Sequence, residues 1–208
     1  LTMFLGVLLS GVIGLEAPAD GAVVLPLVAT QLLWINLVTD GAPALALGVD
    51  PPDPDIMQQP PRPKGEGVIT VAMWRGIFLV GLVMAAGTLY ILDAATPGGL
   101  IDGTGDLRYG QTMAFTTLML FQLFNVFNAR SDRDSAFRQL FANPWLWGAV
   151  VLSLVLHVAV VYAPFLQQAF STTALSGADW LWCTVVASSV LWVREVSKMV
   201  GRIRSDRV

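Results

Sequence analysis

Apolar positions in this chain fall in long, nearly unbroken stretches rather than in the alternating or one-faced patterns of a soluble fold. The stretches 22–49, 68–92, 112–129, 144–164 and 177–197 are of the right length for membrane helices. A hydrocarbon core about 30 Å thick demands roughly 20 mainly apolar residues per helix. A shorter run, 1–15, opens the chain. None alternates as a barrel strand does, and all are too long for strands. The pattern predicts an all-α, polytopic transmembrane helical bundle of about six helices, because a helix satisfies its backbone groups internally in lipid. The opening run has no basic stretch and no small-residue cleavage site, so it does not read as a signal peptide. It reads as the later part of a truncated helix, which makes residues 1–208 a fragment.

The polar connections between these stretches give an orientation. Arg62, Lys64 and Arg75 lie around the second connection, and Arg130, Arg133 and Arg138 around the fourth. Arg194, Lys198, Arg202, Arg204 and Arg207 gather at the end, and the alternate loops hold only Arg108. Basic residues mark the cytoplasmic side, so the C-terminus is expected inside. The stretch 50–67, rich in proline and charge, becomes a cytoplasmic loop. Trp145, Trp147, Trp180, Trp182 and Trp192 near span ends read as interfacial anchors.

Composition agrees and excludes more. Only 13% of residues are charged, about half the usual fraction of roughly 25% in soluble domains. That excludes most soluble enzymes, and a net charge of −3 argues against nucleic acid as a partner. The one cysteine, Cys183, excludes an internal disulfide framework and reads as a small packing residue.

Against this apolar background one acid is out of place. Asp40 falls deep within a span, in WINLVTDGAPALALG, and a carboxylate there is a functional candidate by default. Spacings of three and four put Asn36, Thr39 and Asp40 on one helical side, offering amide, hydroxyl and carboxylate oxygens. Gly41 and Pro43 follow directly. Proline supplies no N–H and clashes with the carbonyl of Thr39, so the helix should break and free carbonyl oxygens beside the acid. Ion sites in transporters are built from such breaks. Hard oxygen donors suit Ca²⁺, Mg²⁺, Mn²⁺ or alkali ions rather than copper or zinc. The competing interpretation is an Asp–Asn hydrogen-bond network that only ties helices together.

A second polar cluster, Thr117, Gln122, Asn125 and Asn128, interrupts the 112–129 stretch; here interhelical hydrogen bonding competes with ligation. His157 reads as a hydrogen-bonded packing residue, and Arg75 as a side chain that snorkels to the boundary.

The string QLLWINLVTDGAPALALGVDPPDPDIMQQPPR resembles the sixth transmembrane helix and following loop of calcium-transporting P-type ATPases, closest to the sarcoplasmic-reticulum type. TMAF…FNVFNARSD is similar to the eighth helix. The chain would then be the C-terminal transmembrane (cation-transport) domain, from the end of the fifth helix through the tenth. The resemblance implies a pump that hydrolyses ATP through an aspartyl-phosphate. Asn36, Thr39 and Asp40 stand at the family's sixth-helix cation ligands. Gln122 stands where two-calcium pumps carry a glutamate, which suggests one ion per cycle or altered selectivity; Asn125 is grouped with it as a candidate ligand. The transported cation is expected to be Ca²⁺, with Mn²⁺ compatible with the same donors. No DKTGT, TGES or GDGxND motif occurs, so Mg-ATP would be used by cytoplasmic domains outside these residues. The implied partners are the lipid bilayer, the N-terminal membrane helices and the ATPase domains of the same parent chain. The short loops between spans point to a multi-pass position in a bacterial cell membrane. The alternative from a different class is a small ATP-independent membrane protein, either an ion-gradient transporter or a structural assembly unit.

Overall fold

The computed structural model describes residues 1–13, 15, 25–51, 69–101, 103–130, 135–137 and 140–205. Most of the 50–67 loop lies outside these residues, as do Arg62, Lys64, Arg133, Arg138 and Arg207. Among the described residues there are eight helices and no strand. They are α1 (Thr2–Leu8), α2 (Ala29–Asp40), α3 (Ala42–Gly48), α4 (Val71–Ala95), α5 (Leu107–Ala129), α6 (Pro144–Tyr162), α7 (Pro164–Phe170) and α8 (Gly177–Ser205).

Three of the helices are long and apolar enough to cross a membrane: Met73–Ala95, Leu107–Ala129 and Pro144–Tyr162. The 22–49 stretch is divided into α2 and α3 at Gly41, so neither half has a full span's length. α7 is a separate turn of helix after α6, begun by Pro164 at its first position, where a missing N–H costs nothing. The start of each long helix is capped by a side chain that takes an otherwise orphaned N–H. Thr70 accepts from Met73 N at 3.2 Å, Asp106 from Tyr109 N at 2.8 Å and Asn143 from Leu146 N at 3.1 Å. At the head of α8, Ser176 and Asp179 accept from each other's N–H groups.

The middle of the bundle is α5. It packs against α8, α4, α2 and α6, and its residues from Gly110 to Phe121 are all buried. Such a position suits a helix with hydroxyls, because a threonine can satisfy itself on its own backbone. Thr112 donates to Arg108 O at 2.7 Å and Thr117 to Met113 O at 2.8 Å. Close approach is set by Gly87 of α4: a Cβ there would fall 2.6 Å from the Phe121 ring. Small residues at such crossings let membrane helices gain packing contacts that lipid cannot offer.

Two buried polar groups complete the frame. His157 of α6 shares a 3.1 Å hydrogen bond between Nε2 and Thr116 Oγ1, with its ring edge-on to Phe115 and Trp180. Asp93, which the hydropathy pattern left just beyond a span, is buried within α4. Its carboxylate accepts from Leu100 N at 2.9 Å and Ile101 N at 3.0 Å, folding the following loop back over the helix end.

Candidate functional site

The break in α2 has a defined geometry. Gly41 N still donates to Leu37 O at 3.2 Å, but Gly41 then turns to ψ −93°, away from the helical value of about −42°. The new helix starts at Ala42 with Pro43 in its first turn, and Leu45 N donates back to Gly41 O at 3.2 Å. Glycine is needed here because a Cβ would come within 2.7 Å of Leu37 O. Proline leaves the Thr39 carbonyl without the N–H that a continuous helix would supply.

Around the break the three candidate residues part company. Asn36 and Asp40 are one turn apart and exposed, on a face that also carries Leu33 and Leu37. Thr39 is turned inward and buried, its hydroxyl donating to Ile35 O at 2.8 Å. That bond uses the hydroxyl hydrogen and leaves the oxygen lone pairs free. Among the described residues, no hydrogen bond or ion pair engages the Asn36 or Asp40 side chains. Val38, on the opposite side, packs against Met119 and Leu123 of α5. The turn of α5 that carries Gln122 therefore packs on the Val38 side of α2, away from the exposed edge that carries Asn36 and Asp40. Gln122 and Asn125 are half-buried there, and the Asn125 amide oxygen accepts a long 3.4 Å contact from Asn128 Nδ2. Asn128 Nδ2 also points at Val190 O of α8, again at 3.4 Å.

Three neighbours hold the broken helix from behind, and sequence reasoning found none of them. At its start, Gln31 Nε2 donates to Phe170 O of α7 at 3.1 Å, and Trp34 packs edge-on to the Phe170 ring. At the break, Ser153 of α6 donates to Val38 O at 3.1 Å. Beyond it, Asn143 Nδ2 donates to Ala46 O at 2.8 Å and to Asp50 Oδ1 at 2.9 Å. Arg130, at the end of α5, pairs with the same Asp50 carboxylate through Nε at 3.0 Å. The sequence signals for these contacts were polar residues at span ends, with Gln31 and Ser153 inside spans. Neither reveals its partner.

Among the described residues, no three His, Cys, Asp or Glu side chains group together. Near the break the described residues offer one carboxylate, Asp40, with amide, hydroxyl and backbone oxygens, which are hard donors.

A helical membrane bundle with one split helix, a lone acid at the split and an open face beside it has the build of an ion-transport module. The family model described as "Cation transporting ATPase, C-terminus" matches residues 24–200, and the chain belongs to that family. It is 40% identical over 164 residues to a calcium-transporting ATPase of Bacillus subtilis, covering 77% of this chain and 18% of that protein. Calcium-transporting ATPase 1 of Yarrowia lipolytica is 37% identical over 181 residues, covering 86% of this chain and 19% of that protein. The mouse calcium-transporting ATPase type 2C member 2 is 39% identical over 175 residues, covering 84% and 18%. The chain thus spans under a fifth of the length of the curated relatives it matches.

Proposed function

We propose that these residues form the cation-transport portion of an ATP-driven P-type pump for Ca²⁺, with Asp40 as the central ligand. The observation that carries this reading is the pairing of Asn36 and Asp40 on the open face of a helix broken at Gly41 and Pro43. Asp40 supplies the charge, Asn36 an amide oxygen, Thr39 its free lone pairs, and the break a backbone carbonyl. Gln122 and Asn125 lie on α5, on the Val38 side of α2 and not on its open face; the family resemblance is what adds their neutral oxygens to the donor set. The similarity to calcium-transporting ATPases supports Ca²⁺ as the transported ion. The hard donor set also accommodates Mn²⁺.

In this reading the ion enters from the cytoplasm and occupies the break. Phosphorylation of the parent chain by Mg-ATP then shifts the helices around it and opens the site to the other side. The remaining ligands come from membrane helices of the same parent chain that meet the open face. The proline- and charge-rich 50–67 sequence, cytoplasmic by the basic-residue pattern, is the segment assigned to couple the two events. Short connections between spans support a bacterial plasma membrane as its location.

The test is Asp40→Asn in the complete pump. Phosphoenzyme formation from ATP should lose its dependence on Ca²⁺ and fall to background, while phosphorylation by inorganic phosphate without Ca²⁺ persists. Unchanged Ca²⁺-dependent phosphorylation and transport would sink the assignment.

A further inference from the structure

Hydroxyls inside these helices generally satisfy themselves on their own backbone, four residues back. Thr39, Thr96, Thr112, Thr117 and Thr184 all do so, at 2.7–2.9 Å. Ser153 does not. It is 1% exposed, and its hydroxyl reaches across to another helix, donating to Val38 O in the last turn of α2 at 3.1 Å. The carbonyls of a helix's last turn lack intrahelical partners, and in a dry interior each needs a donor. Ser153 meets that need at the break.

Further along the same helix, Asn143 does the corresponding thing for the other half. Its Oδ1 caps α6, and its Nδ2 bridges Ala46 O of α3 and the Asp50 carboxylate. Asn143 is 2% exposed, so these bonds are formed away from bulk water. At 1.5 Å per residue the two ties lie about 15 Å apart along α6 and about 12 Å apart along the broken helix, which runs antiparallel to it. Between them, Ala149 of α6 packs in one cluster with Ala46, and Val150 packs against the cluster that contains Val38. One helix and its cap are thus hydrogen-bonded to both sides of a break, with Asp40 between the ties.

We propose that α6 is a splint for the cation site. Ser153 and Asn143 are positioning residues that set the angle between α2 and α3, and through it the aim of Asp40 and of the freed carbonyls. They touch no ion. The inference rests on reading Asp40 as a cation ligand and adds a helix that supplies no ligand of its own. Losing a tie lets the two halves of the helix relax, so the ion-bound geometry has to be assembled at the moment of binding and affinity falls.

The test uses the complete pump and the near-isosteric pair Ser153→Thr and Ser153→Val, which share a shape and differ in the hydroxyl. Two quantities are read: the Ca²⁺ concentration that half-saturates phosphorylation by ATP, and phosphorylation by inorganic phosphate without Ca²⁺. The valine variant should need about three- to tenfold more Ca²⁺ than the threonine variant, the range one neutral hydrogen bond allows. Phosphorylation by inorganic phosphate should be the same in both. Asn143→Ser, which keeps a helix cap but withdraws the amide donor, should shift Ca²⁺ dependence in the same direction. Equal half-saturation in the threonine and valine variants overturns the proposal while leaving the pump assignment intact. Loss of both reactions in the valine variant alone also overturns it, since the hydroxyl would then serve folding. A wild-type protein without Ca²⁺-dependent phosphorylation removes the pump assignment, and the splint with it.

Discussion

Asn36 and Asp40 share one exposed edge of α2, while Thr39 between them turns inward to Ile35 O. Successive helical residues are about 100° apart, so a three-residue step falls short of a full turn and a four-residue step passes it. The sequence spacing groups all three on one side of the helix, but only Asn36 and Asp40 share the exposed edge. Which of them would face outward depended on the position of α5, behind Val38. Gln122 gives the residue-scale prediction. It lies on the turn of α5 that packs on the Val38 side of α2 and offers an oxygen without charge. Gln122→Glu in the complete pump should lower the Ca²⁺ concentration for half-saturation or raise the Ca²⁺ bound per phosphorylated enzyme. Equilibrium ⁴⁵Ca²⁺ binding measures both. No change in either would remove Gln122 from the ligand set.

At the scale of the element, the decisive object is a helix in two pieces. The Gly-x-Pro signal was readable in advance because proline's missing N–H and ring clash are local properties. Less readable was the fate of the freed carbonyls. Leu37 O keeps Gly41 N and Val38 O receives Ser153, so fewer backbone oxygens are open to an ion than the break alone implies. Pro43→Ala restores a donor to Thr39 O and favours a continuous helix. It should weaken Ca²⁺ activation on the order of tenfold, the scale of one regained helical hydrogen bond. A Ca²⁺ titration of phosphoenzyme formation checks this, and unchanged half-saturation would mean that the break does not depend on proline.

For the whole molecule, the arrangement is a central α5 wrapped by α8, α4, α2 and α6, with the broken helix backed on one side and open on the other. Packing depends on small residues at crossings. Gly87 is the clearest, since a side chain there meets both Phe121 and Val186. Gly87→Leu should force α4 away from α5 and α8 and cost about 1–3 kcal/mol, the usual penalty for overpacking. Thermal unfolding of the pump in detergent would show it as a lowered Tm. An unchanged Tm would mean the crossing can open without loss.

The amino-acid sequence by itself determined the fold class, the place of the helix break and the identity of the single acid beside it. These follow from local causes: apolar length, the backbone chemistry of glycine and proline, and the cost of a charge in lipid. Tertiary structure alone decided that Asn36 and Asp40 face an open side, that Asp93 is spent on its own loop, and that Ser153 and Asn143 hold the break from behind. Those facts join residues as far apart as 38 and 153, whose pairing depends on how helices pack rather than on any property of either segment.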